Sequence, residues 1–207
     1  MKIKQEHGQK IWFTSDTHYQ HKNICRGVSN WPEGESERTR DYDTLDEMNN
    51  VIVNSINLNV MEDDILFHLG DWSFGGFEMI EEFRNRIVCK NIHLILGNHD
   101  HHIERNRSNI KRLFSSVHEY LDLEIDDYRF ILMHYPIASW NNMNRGVIHL
   151  HGHVHLPPDK KISKGKAMDV GMDGNNMELY SLMDIINIMD KQPIAKLSLP
   201  QDHHEPK

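Results

Sequence analysis

Five short segments concentrate metal-binding side chains: Asp16-Thr17-His18, Gly70-Asp71, Gly97-Asn98-His99-Asp100, His134 and Gly152-His153-Val154-His155. Four of the five directly follow an apolar run of strand-like composition. Strands that end in turns carrying Asp, His or Asn aim carboxylate, imidazole and amide oxygen at one edge of a sheet, where ligands of α/β proteins gather. Nitrogen-rich mixed donors suit manganese, iron, zinc or nickel better than magnesium or calcium. Asp16 and His18 alternate on an extended segment and can approach one ion through a local kink. Asp71 can bridge two ions, Asn98 can add an amide oxygen, and His153 and His155 can reach different ions from one turn. Two ions about 3.5–4 Å apart would hold a hydroxide between them and clamp a phosphate for in-line attack. Their charge outweighs that of Asp16 and Asp71, so the site welcomes an anion.

The intervening sequence predicts the elements that carry these segments. Ile11 to Thr14 reads as the first strand, and residues 30–43, with Pro32, Gly34 and dense charge, as an exposed loop. Thr44 caps a helix, Glu47 completes a capping box, and Leu45, Met48, Val51, Ile52 and Ile56 follow helical spacing. A strand at Ile65 to Phe67, a helix from Phe77 to Ile87, a strand at Ile92 to Leu96 and a helix from about His102 to Phe114 continue the pattern. This β-α-β-α-β-α order implies parallel strands with helical crossovers. After Ser116 the pattern changes. Tyr120 to Ile125 and Tyr128 to Met133 flank Asp126-Asp127 as a hairpin, so a more antiparallel second half is expected. Short strands at Val147 to Leu150 and Ala167 to Val170 follow, then a helix or strand-helix unit from Leu179 to Met189. Residues 1–190 read as one domain and 191–207 as a polar, loosely ordered tail.

Composition excludes several classes. A chain of 207 residues with 38% apolar and 26% charged residues is globular and buries a core without disulfides. Cys25 and Cys89 lack Cys-x-x-Cys spacing and read as two reduced thiols. No apolar run is long enough for a bilayer, and Met1 to Gln9 lacks the apolar centre of a secretory signal, so a cytoplasmic location is expected. The net charge of −8 opposes non-specific attraction to a polyanion, which disfavours nucleic acid and leaves a small phosphorylated molecule as the expected partner. Oligomeric state is not legible. Sixteen histidines are many for this length; His203 and His204 sit in the tail and are set aside.

The five segments, in this order from Ile11 to about Leu182, resemble the calcineurin-like metallophosphoesterase superfamily, and in particular its small stand-alone bacterial and phage members. The resemblance implies an α/β fold, a two-sheet β-sandwich flanked by helices, with a dinuclear metal site at the carboxyl ends of the strands. It implies one ion held by Asp16, His18, Asp71 and His155, and a second by Asp71, Asn98, His134 and His153, with manganese the first expectation and iron, nickel or zinc the others. It also implies that His99 protonates the leaving oxygen or stabilises charge on the phosphate, with Asp100 orienting its imidazole. Many members read Gly-Asp-x-x-Asp-Arg-Gly where this chain has Gly70-Asp71-Trp72-Ser73-Phe74-Gly75-Gly76, and no arginine precedes Gly97. Those departures argue against a Ser/Thr protein phosphatase.

Outside the ligand set, His21, Asn23 and Arg145 are the candidate substrate contacts, Arg145 because residues 139–146 form a polar loop between two ligand segments. Trp72, Trp140 and Tyr135 are aromatic residues that pack or stack on a base. His149 and His151 alternate with the ligands and face away or support them, while His101 and His102 read as solvated. The expected activity is hydrolysis of a small nucleotide-like or other phosphodiester. The rival within enzymes is a nuclease using a basic strip of Arg105, Arg107, Lys111 and Arg112 on the third helix. A non-catalytic scaffold would have lost ligands, and none is missing.

Overall fold

The computed structural model describes residues 1–32, 38–156 and 160–195, with backbone alone at Arg107 and Ser108. In chain order the elements are β1 (Lys2–Ile3), β2 (Ile11–Thr14), α1 (Leu45–Asn59), β3 (Ile65–His68), α2 (Phe77–Arg86), β4 (Asn91–Ile95), α3 (His101–Arg105), α4 (Arg107–Ile110), β5 (Ser116–His118), β6 (Tyr120–Ile125), β7 (Tyr128–Met133), β8 (Ile148–His151), β9 (Ala167–Asp169), β10 (Tyr180–Ser181) and α5 (Leu182–Asp190). They form two five-stranded sheets, in the orders β10-β2-β3-β4-β5 and β1-β6-β7-β8-β9. In the first, β2 to β5 are parallel, as the alternation of strand and helix requires, and β10 closes the β2 side antiparallel.

The two faces of the first sheet bury different partners. Trp12, Leu66, Ile92 and Leu94 face outward against Met48, Ile52 and Ile56 of α1, Ile80 and Phe83 of α2, and Ile103 and Ile110 of α3 and α4. Ile11, Phe13, Ile65, Phe67 and Ile95 face inward and meet Leu121, Leu123, Phe130, Leu132, Ile148 and Leu150 of the second sheet, with α5 closing the same cluster. This α/β sandwich flanked by helices is the expected fold class. The outer face of the second sheet is covered by a loop, through Trp140, Met143 and Val147 against Ile131 and Ala167.

Several local expectations change in detail. Thr44 accepts from the Glu47 N–H, but the Glu47 carboxylate reaches the Asp43 N–H, one residue upstream of a closed capping box. The expected helix from His102 to Phe114 breaks at Asn106, whose side-chain amide donates to His102 O at 2.7 Å and competes with the helical ladder. The basic strip is therefore not one helix face, and Arg112 is paired with Glu81 at 2.5 Å. The second half is less antiparallel than expected: within the second sheet only the β6–β7 hairpin is antiparallel, and β7, β8 and β9 run parallel. Within the expected tail, Ala195 packs on the Trp140 and Val147 cluster. Residues 196–207, with His203 and His204, and the acidic run Glu33 to Glu37 lie outside the described residues. Among the described residues, no helix is long and apolar enough to cross a membrane.

Candidate metal centre

The exits of five strands converge on one edge of the sandwich. Asp16 and His18 leave β2, Asp71 leaves β3, and Asn98 and His99 leave β4, all in the first sheet. His134 leaves β7, and His153 and His155 leave β8, in the second. Asp16, His18, Asp71, His153 and His155 have φ of 56°, 50°, 57°, 72° and 51°. That left-handed region is uncommon for residues with a side chain and is tolerated where surroundings over-determine it, as at ligand sites. Local sterics also demand glycine beside them. A Cβ on Gly152 would lie 2.2 Å from Asp16 Oδ2, so the β8 exit can pass Asp16 only without a side chain.

Side-chain donors face one another with no apolar group between them. His155 Nε2 is 3.5 Å from Asp16 Oδ1 and 3.3 Å from His18 Nε2, and His18 Nε2 is 3.8 Å from Asp16 Oδ1. These three residues form a group able to hold an ion, as do Asp16, Asp71 and His134. On the second side, Asn98 Oδ1 lies 3.0 Å from His134 Nε2 and 2.9 Å from His153 Nδ1. His134 donates from Nδ1 to Leu69 O at 2.7 Å, which leaves Nε2 as the lone-pair nitrogen of the neutral ring, aimed at Asn98 and Asp71. Imidazole nitrogens and carboxylate oxygens this close, with Asp16, His18, Asp71 and His134 buried, are the arrangement a cation relieves.

The remaining candidates divide. The ring of His21 stacks on Phe74, centroids 3.5 Å apart, and Phe74 in turn meets His99 at 4.6 Å, so His21 belongs to the rim. Burial pushes His21 down to about 4, with His99, Arg40 and His155 acting in the same direction. Asn23 is exposed in the short turn that follows and makes no side-chain hydrogen bond to the cluster. Arg145 is not brought to the site. β7 and β8 run parallel, so the chain leaving His134 must return to the opposite edge, and exposed Arg145 sits there, just before β8 begins. Trp72 and Trp140 are buried packing residues, whereas Tyr135 is exposed and its ring lies 4.8 Å from that of His153. His149 donates to Ile131 O under the Trp140 cluster, and His151 donates to Gly152 O and braces the turn.

The sequence profile of calcineurin-like phosphoesterases matches residues 9–197. The chain belongs to that family. Its sequence is also similar to an uncharacterized protein of Methanocaldococcus jannaschii, MJ1445, at 27% identity over 197 residues, covering 91% of this chain and 96% of the relative. Among solved structures, a protein of unknown function from Aquifex aeolicus, AQ665, superposes with a TM-score of 0.61 at 20% identity, covering 87% of this chain and all of the other. A novel archaeal phosphodiesterase gives a TM-score of 0.45 at 18% identity, covering 84% and 99%. The family's chemistry is phosphoester hydrolysis with divalent metal ions, and the clustered donors fit it.

Three supports of this phosphoesterase's centre are hidden in the sequence. Asp100 does not orient His99: its carboxylate accepts from the backbone N–H groups of Asp71, Trp72 and Gly97 at 2.8, 3.0 and 2.8 Å, and so fastens the β3 exit to the β4 exit. Burial pushes Asp100 up to about 7, against those three donors. Asp169 accepts from Leu156 and Gly171 N–H and pins the chain just beyond His155. Asp173 accepts from His155 Nδ1 at 2.6 Å and is gripped by Arg40. Burial alone would raise the Asp16 carboxyl, but His155, His18 and His134 hold it well below the usual carboxylate range. Burial likewise opposes the charge on His155, yet Asp16 and Asp173 push it up to about 10.

Proposed function

We propose that this phosphoesterase is a dinuclear metal-dependent phosphodiesterase acting on a small, nucleotide-like or other phosphodiester. The observation that carries the reading is the place of Asp71. Its Oδ2 lies 3.7 Å from His18 Nε2 and 3.5 Å from His134 Nε2, between the two donor groups, as a bridging carboxylate must. One ion would then be held by Asp16, His18, Asp71 and His155, and the second by Asp71, Asn98, His134 and His153. Mixed nitrogen and oxygen donors favour a transition metal, manganese first. When bound, the ions would polarise the phosphoryl oxygens and supply an activated water.

The chain's own groups do the rest. His99 is 40% exposed in its side chain, with Nε2 4.0 Å from Asp71 Oδ2, so it can hold a proton at Nε2 and pass it to the departing alkoxide. Its backbone N–H donates to Asp71 Oδ1 at 2.9 Å, fixing the imidazole beside the cluster. Arg40, the guanidinium against the centre, is committed to Asp173 and two backbone carbonyls. A monoester's second charge therefore falls to the ions alone, and a singly charged diester fits better. The rings of His21, Phe74 and Tyr135 at the rim offer surface for the ester substituents.

The test is hydrolysis by chelator-stripped protein reloaded with manganese, on bis(4-nitrophenyl) phosphate, 4-nitrophenyl phosphate, cyclic nucleotides, dinucleotides, nucleotide sugars and short oligonucleotides. The expected result is higher kcat/KM on diesters than on the monoester, lost with chelator and regained with metal. Two bound ions with no hydrolysis, or a monoester preference, would overturn the reading.

A further inference from the structure

Arg40 stands in a stretch whose charge density predicts solvent, yet its side chain is only 5% exposed. Its backbone is rooted by bonds to its neighbours, donating to Ile24 O and accepting from Arg26 N–H. The guanidinium makes four hydrogen bonds: Nε to Asp173 Oδ1 at 2.7 Å, Nη2 to Asp173 Oδ2 at 2.8 Å, Nη2 to Asp16 O at 2.6 Å and Nη1 to Thr17 O at 2.8 Å. A buried guanidinium is tolerated only when its donors are met this fully, and a bidentate fork onto a carboxylate fixes direction as well as charge. From this one group, contacts run two ways. One reaches the backbone of the β2 exit, which carries Asp16 and His18. The other passes through Asp173 to the Nδ1–H of His155, on the β8 exit of the other sheet.

Both paths end on donors of the same group, since His155 Nε2 and Asp16 Oδ1 lie 3.5 Å apart. An acceptor on Nδ1–H keeps the lone pair of a neutral histidine at Nε2 and stops the ring from turning. His155 needs that restraint, because it sits in the left-handed region at φ 51°. The other donor group has fixings of its own: His134 donates to Leu69 O, and Asp100 ties together the backbones of Asp71, Trp72 and Gly97.

We propose that Arg40 and Asp173 form a positioning relay that sets the occupancy of one metal position, that of Asp16, His18 and His155, and not of the position at Asn98, His134 and His153. The inference rests on the two-ion reading above. Neither residue touches the ion; each acts through His155 and the β2 exit.

The experiment is equilibrium titration of the chelator-stripped, full-length protein with manganese, followed by calorimetry and by the electron paramagnetic resonance of free ion, on the wild type, Asp173→Asn and Arg40→Lys. Melting in chelator shows that each variant folds; the near-isosteric Asp173→Asn carries the test if Arg40→Lys does not. The wild type must bind two ions, and fewer would sink the two-ion reading itself. Given two, each variant should weaken one ion by about 10–100-fold and hold the other within about threefold, with the manganese needed for half-maximal turnover rising by the same factor. A merely structural defect would weaken both together. Equal loss at both positions, or wild-type binding at both, would overturn the relay.

Discussion

A methyl group on Gly97 would lie 2.3 Å from Asp71 Oδ1 and 2.5 Å from the Asp71 nitrogen, so the β3 and β4 exits touch with no room for a side chain. Gly97→Ala must push the proposed bridging carboxylate aside. The overlap should cost about 1–3 kcal/mol of stability and weaken both ions together, unlike the relay variants. Melting in chelator and manganese titration measure the two effects; a wild-type isotherm would refute the steric account.

Asp100 is 3% exposed and serves three backbone donors. Asp100→Ala leaves those N–H groups without an acceptor and should lower stability by about 3 kcal/mol or more, since each orphaned buried donor costs roughly 1–3 kcal/mol. Asp100→Asn keeps an acceptor and should lose less. Urea unfolding of the metal-free proteins decides it, and equal stability of the alanine variant would sink the assignment.

For His99→Ala, a proton-delivery role predicts a drop in kcat of about 10²–10⁴-fold on diesters with alkoxide leaving groups. With 4-nitrophenolate, which departs unprotonated, the drop should be much smaller. Metal content by elemental analysis should stay at the wild-type value. A loss of the same size on both substrates would assign His99 to another task.

Because Asp16 and Asp173 push His155 up to about 10 in the metal-free protein, an ion must expel a proton to gain Nε2. Manganese affinity should therefore climb with pH, by up to about tenfold per unit below that value. Calorimetry in buffers of different ionisation heat should register the released proton. The metal-free fold behaves oppositely. A raised histidine contributes its full stabilisation below the unfolded pKa, about 6.5, and that contribution fades as pH rises through about 10. The chelated protein should thus lose thermal stability over that window. Binding with no proton released would contradict the link.

Arg145→Ala should change kcat/KM by less than about twofold, the behaviour of a surface residue away from the chemistry. Its place at the start of β8, across the sheet from the donors, is the reason. A tenfold rise in KM would show that the residue reaches substrate.

The convergence of the proposed donors is legible in the sequence because a strand ending in Asp, Asn or His has few structural reasons to do so, and strand ends of both sheets meet at one edge. What escapes is whatever depends on direction or distance. Arg145 lies between two ligand segments in sequence, but a parallel β7–β8 crossover carries it back across the sheet. The Asp100 carboxylate could face either the neighbouring imidazole or the N–H groups of Asp71 and Trp72, and adjacency favours the wrong one. Arg40 and Asp173 are 133 positions apart, and nothing in a charged loop marks the one guanidinium that turns inward. The break at Asn106 follows from a side-chain amide that competes for a carbonyl, a contest that apolar periodicity does not register.

Four of the seven proposed donors leave strands of the first sheet and three leave strands of the second, so an ion held among them would also be a rivet between the halves of the sandwich. Slippage of one layer against the other by a fraction of an ångström would spoil the coordination distances. The packed aromatic seam of Phe13, Phe67 and Phe130 between the layers is what keeps the two sets of side chains at a fixed separation.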